Sequence, residues 1–227
     1  MTTRRELLIR TASCIGTALI PSAIFVRPSI AIAGYQGNRH IAFAVERSGL
    51  SVNDGHRIVE FGAVELVDQL PTGRSFHAYL DPERDVCPGL QEHHGLSREF
   101  LNGKPKFADI AKNLLIFLAN AELITRCGSG DTEFLDAELA RILEPSVSSV
   151  FGKVSETFPM YRQMFSSLPS EQVRKGLREL HRICMCSSVQ HATEKASLAA
   201  TAYFAIRSGS EAVNVARGSW HCQCQHL

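Results

Sequence analysis

Two clusters of soft ligands lie late in the chain. Cys184-Met185-Cys186 has His181 just before it, and His221-Cys222-Gln223-Cys224-Gln225-His226 carries a second Cys-x-Cys pair. Thiolates and imidazoles in this mixture suit zinc or copper. The spacing is not the paired Cys-x2-Cys of zinc knuckles, so a metal site is the minority reading here. Cys87 and Cys127 read as ordinary buried thiols. His93 and His94 lead into Gly95 and read as a surface turn or cap. A Ser-His-Asp hydrolase finds no Gly-x-Ser-x-Gly elbow. One more stretch has chemical content: Ala44-Val45-Glu46-Arg47-Ser48-Gly49-Leu50 places Glu46 just after the apolar run 41–43.

The elements that must hold these groups are legible from periodicity. Residues 40–45, 58–67 and 74–80 are short, apolar and β-branched, which predicts three strands. Asn53-Asp54-Gly55 and Pro71-Thr72-Gly73 separate them as turns, giving an antiparallel meander. Phe107, Ile110, Ala111, Leu114, Leu115 and Leu118 recur at helical spacing. Leu123-Ile124 reads as a short buried strand, and residues 132–143 as a helix with Leu135, Leu139 and Ile142 on one side. Val173, Leu177 and Leu180 outline another helix, supported by an i,i+4 pair of Glu171 and Lys175. An alanine-rich helix over 191–206 ends the series. Strands first and helices after them indicate a mixed α/β layer fold in one domain, for which 227 residues suffice. The net charge of +1 supplies no global field for nucleic acid, although a local groove can still be basic.

The N-terminus has a logic of its own. Thr3-Arg4-Arg5-Glu6-Leu7-Leu8 is similar to the twin-arginine export signature, an apolar run follows over 11–26, and Ala31-Ile32-Ala33 offers a small-residue cleavage site. The run is shorter than the ~20 residues of a membrane span. Residues 1–33 are therefore expected to be an export leader, with a cytoplasmic helical extension as the alternative. Of seven cysteines only Cys14 falls in that leader. Six would remain, an even number that permits disulfides in an oxidising compartment.

Longer segments carry a resemblance. The stretch around Glu46, followed by Gly55-His56-Arg57-Ile58-Val59-Glu60-Phe61-Gly62, resembles the opening of the DnaQ-like proofreading exonucleases, the family of the DNA polymerase III epsilon subunit. Phe76-His77-Ala78-Tyr79-Leu80-Asp81-Pro82 is similar to the family's third strand and turn, and His94-Gly95-Leu96-Ser97-Arg98-Glu99-Phe100-Leu101 to a later segment. Lys104-Pro105-Lys106-Phe107, Val154-Ser155-Glu156-Thr157 and the closing helix 198–206 continue it. The similarity covers about residues 39–208 and leaves 209–227 unassigned. It implies a ribonuclease-H-like fold, a five-stranded mixed sheet flanked by helices. It also implies 3′–5′ exonuclease chemistry on single-stranded nucleic acid ends with Mg²⁺ or Mn²⁺, while the short apolar run of the leader gives no stable membrane span.

That chemistry uses two divalent ions about 4 Å apart, held by several converging carboxylates. By resemblance these are an Asp and a Glu on the first strand, an Asp opening a helix, and a last Asp five residues after a general-base His. Here the first Asp falls on Ala44, the Glu is retained as Glu46, and the helix Asp is Asp131. The closing pair falls on Gln190 and Lys195. Taking His191 as the base leads to Ala196 instead, so neither register recovers an acid. Two carboxylates beside one ammonium are too few for two ions. The expectation is a degenerate site built on Glu46, Asp131 and His191, with Lys195 standing in for a metal, and a non-catalytic binding module. The alternative is an active exonuclease with unorthodox ligands.

Overall fold

The computed structural model describes residues 38–126, 130–147, 149, 153–165 and 191–208. Five strands, β1 (Arg39–Arg47), β2 (Ile58–Val67), β3 (Leu70–Tyr79), β4 (Glu122–Thr125) and β5 (Val154–Glu156), form one sheet in the order β3-β2-β1-β4-β5. The first three make the expected antiparallel meander, whereas β4 and β5 run parallel to β1. The described helices are α1 (Pro88–His94), α2 (Arg98–Leu101), α3 (Phe107–Leu118), α4 (Asp131–Arg141), α5 (Thr157–Phe165) and α6 (Ala192–Ser208). This is the mixed five-stranded, helix-flanked sheet of the ribonuclease-H-like class.

Helices cover both faces of the central strands, so β1 and β2 are buried nearly throughout rather than on alternate residues. On one face Ile41, Phe43, Phe61 and Phe76 pack with Phe107, Ile110 and Leu114 of α3 and with Phe134 and Leu135 of α4. The Phe43 and Phe61 rings stack at 5.8 Å. On the other face Ala42, Leu66 and Ile124 meet Ala199, Ala200 and Tyr203 of α6. Small residues there let α6 lie close to the sheet. A Cβ at Gly62 would come within 2.2 Å of the Thr193 backbone nitrogen, so this crossing requires glycine.

Three local expectations are corrected. Pro71-Thr72-Gly73 is not a turn, because β3 begins at Leu70. The reversal is made by Asp68 and Gln69, both at positive φ (48° and 70°), with Val67 pairing Leu70. Two left-handed residues match the twist of the flanking strands, and Pro71 is tolerated because β3 is an edge strand. The helix expected over 132–143 ends at Arg141, and Leu143 adopts φ 60° and is exposed. His94 is buried rather than a surface turn residue. Its Nδ1 accepts the Leu96 N–H, and its Nε2 donates to the Arg47 carbonyl at 3.2 Å. The helix outlined by Val173, Leu177 and Leu180 lies outside the described residues, as do the 1–33 leader and the 209–227 tail.

Candidate functional site

β1 and β4 are parallel neighbours, and ligands of open α/β sheets bind beyond the carboxyl ends of such strands. Glu46 stands at that end of β1. After β4 the chain reaches Gly130, whose φ of 76° admits the turn into α4, and Asp131 opens that helix. Acidic residues are favoured in a first helical turn by the backbone dipole. Asp131 is buried, and its Oδ2 accepts the Thr125 hydroxyl at 2.8 Å. The third participant comes from the start of α6, which runs over β1 and β2.

The electrostatics turn on Lys195. Its ammonium donates to Glu46 Oε1, and both side chains are only 8% exposed. A buried carboxylate needs a partner of opposite charge or a metal, because desolvating it alone is costly. Here the partner is a side chain of the same fold. Ala44 lies two residues before Glu46 on the same strand face, almost fully buried and opposite Gly62. It brings no ligand atom to the place where the resemblance puts the first carboxylate.

His191 lies beside a different acid. Its Nδ1 is 3.6 Å from Glu60 Oε1 and 3.2 Å from the Tyr79 hydroxyl. Glu60 is fully buried, is the cross-strand partner of Glu46, and accepts His77 Nε2–H at 2.7 Å. Its Oε2 is buried without a hydrogen-bond partner. Glu60, His77 and Tyr79 were missed from sequence as site residues, although they lie in segments that carry the resemblance. Strand alternation held the signal, since Glu60 falls on the face shared with Gly62 and Val64. Phe100 packs its edge on Tyr79 at 5.0 Å, and Lys104 Nζ lies 4.5 Å from the Phe100 ring centre. This leaves an aromatic and basic rim beside the acids.

Among the described residues, no group of three or more His, Cys, Asp or Glu side chains could hold a metal ion. Glu46, Asp131 and His191 are thus all near the carboxyl end of the sheet, but each is engaged separately: by Lys195, by Thr125, and by Glu60 with Tyr79. The soft-ligand candidates Cys184, Cys186, Cys222 and Cys224 lie outside the described residues. No described helix is long and apolar enough to cross a membrane.

Comparison with known proteins places this geometry. Residues 41–193 match the RNase T family, described as exonuclease. The DNA polymerase III epsilon subunit of Rickettsia felis is 39% identical over 128 residues, which is 56% of either chain. That of Escherichia coli is 35% identical over 133 residues, covering 56% of this chain and 54% of its own. The chain thus spans about half the length of the curated relatives it matches. The fold is similar to the nuclease domain of 3′hExo, a DEDDh family member bound to rAMP, at TM-score 0.57 and 16% identity, covering 78% of this chain and 95% of that one. It is also similar to product-bound exonuclease I, at TM-score 0.60 and 12% identity over 79% of this chain and 46% of that one. This chain belongs to the DnaQ-like 3′–5′ exonuclease family.

Proposed function

We propose that the domain is a catalytically silent member of its family, retaining the cleft to bind a single-stranded nucleic acid 3′ end without cleaving it. The observation that carries this reading is the Lys195–Glu46 ion pair. An ammonium occupies the carboxylate's oxygen where the family's chemistry needs a cation, and Ala44 supplies no second ligand. The donor set does not fit two divalent ions, which require several converging carboxylates. The binding half of the reading is supported by the exposed Phe100 ring with Lys104 against it, since aromatic faces stack on bases and cations neutralise phosphate. E. coli exonuclease I, a structural neighbour, is known in complex with a dA16 oligonucleotide.

The test is nucleotide release from a 3′-labelled single strand in Mg²⁺ or Mn²⁺. The expected result is retention of the labelled strand in a gel shift with no release. Combining Ala44→Asp with Lys195→Asp should restore metal binding by calorimetry. Cleavage by the unmodified protein that is lost on Glu46→Ala would overturn the reading. A second reading, an active exonuclease with unorthodox ligands, is favoured by one feature: the unpartnered buried Oε2 of Glu60 opposite Glu46. Loss of such activity on Glu60→Gln would identify it.

The compartment belongs to the same proposal. The Arg4-Arg5 motif and the Ala31-Ile32-Ala33 site support export of a domain over 39–208, where no replication template exists. A periplasmic protein beginning near Gly34 is the expected result of fractionation with N-terminal sequencing. A cytoplasmic protein beginning near Met1 would return the domain to a replication-linked role.

A further inference from the structure

Outside the cleft, the turn between β1 and β2 holds a second constellation. Ser48 is fully buried, and its Oγ accepts the Arg57 N–H at 3.0 Å. A second lone pair of the hydroxyl accepts His56 Nδ1–H, 3.2 Å away, which leaves Nε2 without a proton. That nitrogen lies 3.7 Å from Cys87 Sγ, and Cys87 N–H donates to the Ser48 carbonyl at 2.8 Å. Burial and, after it, the charge of Arg84 lower the His56 pKa below its usual value, so the ring is neutral at pH 7. The Arg84 Nε is buried without a hydrogen-bond partner. Cys87 itself is partly exposed.

A nucleophile in reach of a base, with the base oriented by a third group, is the arrangement that activates thiols. Reactive cysteines sit in partly exposed, electropositive surroundings, whereas structural ones are enclosed and inert. We propose that Cys87, with His56 and Ser48, is a covalent modification site that takes small soft electrophiles, hydroperoxides above all. The thiol sulfur attacks the distal peroxide oxygen, forming an S–O bond as the O–O bond breaks. The thiol proton ends on the leaving oxygen, so thiol and hydroperoxide give sulfenic acid and an alcohol. Sulfur is oxidised by two electrons and the peroxide is reduced by two.

The site has leverage on the cleft. The His56 ring packs so closely on Gly49 that a Cβ there would lie 2.1 Å from it. An added oxygen on Cys87 presses on this ring and on the turn that leaves Glu46 and carries the exposed Leu50.

The test is residue-resolved peptide mapping of the full chain after timed exposure to iodoacetamide or hydrogen peroxide. Native Cys87 should react at least about tenfold faster than the same cysteine in urea. His56→Phe, which keeps the ring's bulk, should abolish that excess. Ser48→Ala should reduce it, and it decides the matter if His56→Phe fails to fold. Native Cys87 reacting no faster than in urea would overturn the proposal, as would equal rates in the wild type and a folded variant.

Discussion

Helix α6 crosses the sheet from one end of β1 to the other, and its two ends stabilise carboxylates in opposite ways. At its start a single ammonium, Lys195, answers the buried Glu46. Toward its other end Tyr203 donates to Glu122 at 2.6 Å, where Ser155 and Lys153 donate as well, at 2.8 and 2.7 Å. Burial alone would raise the Glu122 pKa, but the hydrogen bonds from Lys153, Tyr203 and Ser155 outweigh it and hold the acid at about 2. One charge depends on one partner and is cut off from water. The other is shared among several groups and is partly solvated. A function that rests on the first kind of site can be changed by one residue, whereas the second kind resists single changes.

The contrast breaks most visibly at Lys195. Lys195→Met leaves Glu46 buried without a partner and should lower the unfolding free energy by about 3–5 kcal/mol in urea titrations. Adding Glu46→Leu should return most of that loss, because removing both charges together spares the desolvation cost. A loss below about 1 kcal/mol for Lys195→Met alone would mean that the pair is not isolated from water.

A steric change sharpens the same comparison. Gly62→Ala sets a methyl group against the Thr193 nitrogen and the Ala192 carbonyl carbon, 2.2 and 2.4 Å from where the Cβ would sit. Backbone cannot yield there without moving α6, so a cost of about 1–3 kcal/mol is expected. Amide exchange should quicken at the start of α6 and not near Tyr203.

The smallest effect belongs to the shared site. Glu122 titrates lower in the folded chain than its ordinary value of 4.5. Its contribution is therefore complete above that pH and is lost as pH falls toward 2. Melting temperature should decline through this window. Glu122→Gln should flatten the decline by lowering stability at pH 7 toward the wild type's low-pH level, because the amide oxygen still meets Lys153, Tyr203 and Ser155 but carries no charge.

These sites differ in how far the sequence revealed them. β1 and β2 were legible as short apolar and β-branched runs between turn clusters, α3 by its helical periodicity, and Lys195 because the last helix could be aligned without a gap. The pairing of Glu60 with His77 was not, since it depends on a register between β2 and β3 that sequence spacing does not state. Pro71 and Gly73 imitated a turn, while the real one uses Gln69 at positive φ, a residue with no turn signature. The early helix end after Arg141 was hidden by Ile142 and Leu143, whose apolar character continues the pattern beyond the helix.

Glu46 and Lys195 are 149 residues apart in the chain. At translation rates of roughly 5–20 residues per second, the glutamate leaves the ribosome on the order of ten seconds before its lysine exists. Through that interval the face of β1 and β2 that α6 will cover, with Ala42, Leu66 and the Glu46 carboxylate on it, stands open. The meander can pair early, since its contacts are local, but burial of the acid must wait for the last described helix. Maturation of this domain is thus timed by α6, and that open face is what a nascent-chain chaperone would meet.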